Sequence, residues 1–209
     1  MLLLSLIVPA LNWAFVLARF VTARSEAETA HEILSNELLF RVGVVGELTT
    51  SAIAALLAVA LYVLLQSAGK NLALLALLLK LVEATLWAVI ALGHLAALVT
   101  LRGASEQARG IVGVLLREQV TLNAVPGFVL GLGSMVFLYL LMRSKYVPRM
   151  LAGFGVLSYA LVFLSNLLAT TSPDHATVGS QMAWGAPSVL AELAIGSWLL
   201  IRGARAREA

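Results

Sequence analysis

The sequence predicts an all-α fold: a polytopic membrane helix bundle of six transmembrane helices plus two short amphipathic surface helices, in one domain of 209 residues. Three observations predict it. The composition is 61% hydrophobic and only 12% charged, with a mean hydropathy of +0.96, far from that of an ordinary soluble domain. Apolar runs of about 20 residues or more, the length that crosses a hydrocarbon core, recur along the whole chain. The Lys and Arg residues stand at the ends of those runs and in short connections, where they act as topology signals. For that reason the formal charge of +3 and the pI near 9.6 do not describe a nucleic-acid surface. Zero cysteines excludes disulfides, thiolate metal sites and cysteine nucleophiles.

The first span is predicted over about 2–23. No basic residue precedes its apolar run and no small-residue cleavage pattern follows it, so a retained helix is expected in preference to a cleaved signal. Residues 25–38 read as the first surface helix. Ser25 with Glu28 matches a capping box, and Ala27, Ala30, Ile33, Leu34 and Leu38 recur at helical spacing. The second span, about 41–66, carries Gly43, Glu47, Thr50, Ala54 and Ala58 on one face, small residues that permit close packing around one carboxylate. A turn at Gly69 to Asn71 leads into the third span, about 71–101.

Residues 105–118 mix Glu106, Arg109, Arg117 and Glu118 with Ile111, Val112 and Leu115, which predicts the second amphipathic surface helix. The fourth span, about 120–142, contains Asn123, Pro126 and a Gly127-x-x-x-Gly131 pair continued by Ser134, the face expected to meet another helix or a partner. A basic turn, Arg143 to Arg149, precedes the fifth span, about 150–170, with Tyr159, Val162 and Asn166 along one side. After a loop holding Asp174 and His175, the sixth span, about 182–201, carries Glu192 near its middle, flanked by Ser188 and Gly196. Lys70, the Arg143, Lys145 and Arg149 turn and the Arg202, Arg205 and Arg207 tail then share one side. The rule that basic residues stay inside places both termini in the cytoplasm.

Polar residues inside the spans are the candidate site. On the third span Lys80, Glu83, Trp87 and His94 fall within roughly a 60° arc at about 100° per residue, so one helix face carries an ammonium, a carboxylate, an indole and an imidazole. Such a face is expected against protein or trapped water and away from lipid. With Glu47 and Glu192 these residues form the predicted ligand-binding set, in a cavity expected to open outward and to bring Glu47, Glu83, Glu192 and His94 together. The structural alternative is that Lys80 and Glu83, three residues apart, neutralise each other, while the remaining acids and His94 serve packing and hydrogen bonding.

Several stretches resemble the DUF4386 family of bacterial integral membrane proteins, whose function is uncharacterised. They are Glu28 to Glu47, Lys80-Leu-Val-Glu83, Arg143 to Gly153, and Glu192 ahead of Trp198. Lys80 stands where that family more often has arginine, which removes the guanidinium fork from this position. The resemblance implies a membrane bundle in a bacterial cytoplasmic membrane and implies no activity.

Catalytic templates fit poorly. There is no H-E-x-x-H, nucleophile elbow, phosphate loop or dinucleotide fingerprint, and only His94 among the histidines lies within a span, which disfavours haem. No cofactor and no metal is expected. Three functions follow in order of preference: binding or transport of a small molecule or lipid in the polar cavity, an accessory subunit of a membrane complex docking through Gly127 and Gly131, and an enzyme acting on lipid. The expected partners are membrane lipids and a membrane protein or a second copy of the chain, with no nucleic acid.

Overall fold

A computed structural model describes residues 1–21, 26–103, 105, 111–112, 122–172 and 177–203, and all regular structure among them is helical. The first helix, α1 (Leu2–Asn12), passes through a π-helical turn at Trp13–Leu17 into the short α2 (Ala18–Val21). Then come α3 (Glu26–Ser35), α4 (Glu37–Gly103), α5 (Ala124–Ser144), α6 (Arg149–Thr171) and α7 (Val178–Arg202). Five of the helical stretches are long and apolar enough to cross a membrane, Leu2–Phe20 being counted as one.

The longest, α4, has 67 residues and is broken at Gly69, whose φ of 168° and ψ of 91° leave helical geometry. A straight helix of that length would extend about 100 Å, roughly three bilayer cores. Instead its two arms, 37–68 and 70–103, fold back on one another. Midway, the Ser51 hydroxyl donates to the Ala84 carbonyl at 2.6 Å. At the open end the Arg102 guanidinium grips the Glu37 carboxylate, with Nε at 2.9 Å from Oε2, and Arg41 Nε donates to the same group at 2.8 Å.

The packing closes a ring: α1 lies on α4, α4 on α5, α5 on α6, α6 on α7, and α7 returns to α1. In lipid, helices gain little hydrophobic energy by associating, so small residues that let backbones approach decide where they touch. A Cβ added to Gly43 would stand 2.9 Å from Leu17 Cδ2, and one on Gly196 would stand 2.6 Å from Leu3 Cδ2, so Gly43 seats the π turn against α4 and Gly196 seats α1 against α7. Apolar side chains on the opposite faces, such as Leu48, Val59, Val63, Val82, Leu92 and Val99, are exposed, which suits a surface bathed in acyl chains.

Both ends of the ring are finished by polar contacts. At one end α3 covers the open mouth of the α4 hairpin. Ile33 and Ala30 are buried with Phe20, Phe40, Leu98 and Leu101, and Phe20 meets Phe40 edge to face at 5.3 Å. Asn36 interrupts the helix before α4, its amide donating to the Glu32 carbonyl and carboxylate. The other end is basic. Lys145, in the left-handed conformation at φ 61°, terminates α5, and Pro148 precedes α6. Trp198 Nε1 donates to the Tyr146 carbonyl at 3.2 Å while the Arg202 guanidinium sits 5.6 Å from the Trp198 ring centroid. The second expected surface helix, 105–118, and the loop of Asp174 and His175 lie almost wholly outside the described residues.

Candidate functional site

The polar residues of the spans sort into two groups at different depths. The deeper group is built by α4, α5, α6 and α7. Lys80 Nζ lies 2.5 Å from Glu83 Oε2, one helical turn along the same arm, and both side chains are buried. The contact is one of charge and not of good hydrogen-bond alignment, since Glu83 Oε2 has no aligned donor. Facing them, the Tyr159 hydroxyl donates to Glu192 Oε1. Lys80, Ser134, Tyr159 and Glu192 surround a cavity of about 40 Å³ closed by Leu57, Leu61, Phe137 and Leu138, room for one or two waters. Gly133 lets the Lys80 stem pass, because a Cβ there would lie 3.1 Å from Lys80 Cδ.

Nearer the α3 end is the second group. His94 Nδ1 lies 2.7 Å from Glu47 Oε2, joining the two arms of α4, and the imidazole is buried beside Phe40 at a ring separation of 6.1 Å. Glu47 opens onto a cavity of about 270 Å³ that α1 and its π turn line with Pro9, Asn12, Trp13 and Leu17. Thr50, Trp87 and Asn123 complete the wall. Asn12 Nδ2 donates to the Gly43 carbonyl at 3.0 Å, and the absence of a side chain at Gly46 makes room for the Asn12 amide. A π turn adds a residue to the helical circuit and so re-aims the residues that follow it. Here Trp13 opens that turn, immediately after Asn12.

The stripe predicted on the third span is therefore divided. Lys80 and Glu83 join Glu192 in the deeper group, whereas Trp87 and His94 join Glu47. No described cavity is lined by Glu47, Glu83, Glu192 and His94 together: Glu192 lines the smaller and Glu47 the larger. Glu83 and His94 lie on one unbroken helical arm, and eleven residues of helix separate them by about 16 Å. Sequence reasoning missed Asn12 altogether, and placed Tyr159 and Asn123 on spans without linking them to the acids. An amide between Leu11 and Trp13 in an apolar run is the signal that could have pointed to Asn12.

Gly127 and Gly131 are occupied within the chain. A Cβ on Gly131 would come 2.7 Å from Phe163 Cβ and 2.8 Å from its Cα, and one on Gly127 would meet the Asn166 amide, so this face is the α5–α6 contact. Ser134, on the same face, is buried against the deeper cavity. Among the described residues, no group of three or more His, Cys, Asp or Glu side chains is placed to hold a metal ion.

These features define a helical integral membrane protein with two intramembrane polar centres, one nearly solid and one hollow. The chain belongs to the DUF4386 family, described as a domain of unknown function, whose model matches residues 1–203. No curated protein and no solved structure matches it.

Proposed function

We propose that the protein binds a small molecule or the headgroup of a lipid in the Glu47 cavity, in a bacterial cytoplasmic membrane with both termini in the cytoplasm. One observation carries the reading: Asn123 Oδ1 is buried at the wall of a cavity of about 270 Å³ and accepts no hydrogen bond among the described residues. A buried polar atom without a partner is uncommon in a folded protein and calls for one. Half-buried lining residues, Asn12, Trp13, Glu47, Thr50 and Trp87, leave the cavity accessible. The orientation rests on the basic end of the bundle, where Lys70, Arg143, Lys145, Arg149 and Arg202 are exposed.

Native mass spectrometry of the protein taken from its membrane into nanodiscs tests the reading. A stoichiometric extra mass of small-molecule or lipid size, lost when Asn123→Leu fills the wall, is the expected result. A stoichiometric protein partner instead would favour an accessory subunit, which would have to dock on a face other than that of Gly127 and Gly131.

A further inference from the structure

Extending that reading of the Glu47 cavity, we propose that its ligand is an organic ammonium carrying at least one N–H, either a free amine or the headgroup of an aminophospholipid. The wall carries a set of acceptors that find no donor among the described residues. The Thr50 hydroxyl gives its hydrogen to the Gly46 carbonyl at 2.9 Å, and the Asn12 amide gives one of its own to the Gly43 carbonyl. Their oxygens keep lone pairs that these bonds do not use. Glu47 holds His94 through Oε2, while Oε1 accepts no hydrogen bond among the described residues. Asn123 Oδ1 is likewise buried and unpartnered. The wall thus presents a carboxylate and three neutral oxygens, beside the N–H groups of Trp13, Trp87 and Asn123.

The charge on the wall has the same sign. Among the described residues no Lys or Arg lines the cavity, and the imidazole behind Glu47 is engaged on the carboxylate's other oxygen. Two of the chain's four tryptophans, Trp13 and Trp87, line it, and indole rings attract cations. A ligand that satisfies this wall brings N–H donors and positive charge. A quaternary ammonium brings the charge without N–H donors, and even choline's single hydroxyl meets only one of these oxygens, so discrimination between the two is the signature of the site. The volume of about 270 Å³ is far larger than a bare metal ion and suits a small organic group.

The test uses the full chain in phosphatidylcholine nanodiscs, titrated with ethanolamine, choline, ethylene glycol and acetate while tryptophan fluorescence is followed. Ethanolamine should bind at least about tenfold more tightly than choline and should lose at least about tenfold in affinity in Glu47→Gln. Asn123→Asp, which keeps the shape and adds a second carboxylate, should tighten it, and this gain keeps the proposal open to test if Glu47→Gln fails to fold. In nanodiscs containing phosphatidylethanolamine, retention of that lipid in native mass spectra with loss of the ethanolamine response identifies the headgroup as the source. An unchanged ethanolamine response identifies a free amine. Choline binding as tightly as ethanolamine, or acetate or ethylene glycol binding in its place, overturns the ammonium class while leaving the cavity as a binding site. No response to any probe, with no co-purifying mass, overturns the cavity reading itself.

Discussion

His94 Nδ1 stands 2.7 Å from Glu47 Oε2, tying together two residues 47 positions apart on opposite arms of one broken helix. Like the Ser51–Ala84 bond, the pair fastens the α4 hairpin within its apolar length, and it orients the carboxylate that faces the hollow centre. Unfolding of the single and double variants Glu47→Gln and His94→Gln in mild detergent measures it. A coupling of about 1.5–3 kcal/mol is expected, the range of a hydrogen bond with a charged partner. Additive effects would mean that the two side chains act independently.

The fold-back at Gly69 is open to direct chemical proof because the chain has no cysteine. Ser51→Cys combined with Ala84→Cys should crosslink readily with a short thiol-reactive linker, since the Ser51 hydroxyl touches the Ala84 carbonyl. A continuous helix would hold these positions about 50 Å apart and prevent it. Failure to crosslink in the membrane would therefore count against the hairpin.

Gly131 lets the backbones of α5 and α6 approach closely, and a methyl group there would press on the Phe163 backbone. Gly131→Ala should lower unfolding stability by about 1–3 kcal/mol, the usual cost of overpacking. Gly153→Ala serves as the control, because a Cβ there meets nothing within 4 Å and helix propensity favours alanine. Equal effects in thermal unfolding would show that the close contact is unimportant.

Lys80 and Glu83 are both buried beside the deeper cavity, and neither has another ion-pair partner among the described residues. Lys80→Met alone leaves a carboxylate uncompensated, for a loss of about 3–5 kcal/mol. The double variant Lys80→Met with Glu83→Leu should recover most of that loss. Should the double variant be less stable than the single, the pair would have a role beyond mutual neutralisation.

How much of this could be read from the residues depends on the range over which each signal acts. The spans were legible because hydropathy and helical periodicity are local. The helix expected at 150–170 runs over Arg149–Thr171, and that expected at 182–201 over Val178–Arg202. Lys80 with Glu83 was legible for the same reason, as neighbours one turn apart. The π turn after Asn12 was not, because it departs from the very periodicity that marks a helix.

The sequence by itself determined that the chain is a bundle of apolar helices and that Glu47, Lys80, Glu83, Trp87, His94 and Glu192 face away from lipid, since a charged group in hydrocarbon is too costly to leave unscreened. The tertiary structure alone decided how those residues were shared out. Glu47 went to His94, Glu192 to Tyr159, and Asn12 to the backbone of Gly43. It also decided that Gly127 and Gly131 were taken up inside the chain. Periodicity places a side chain on a face, but which residue it meets depends on the depth and rotation of a second helix, and those follow from where the small residues of all the helices let the backbones come together.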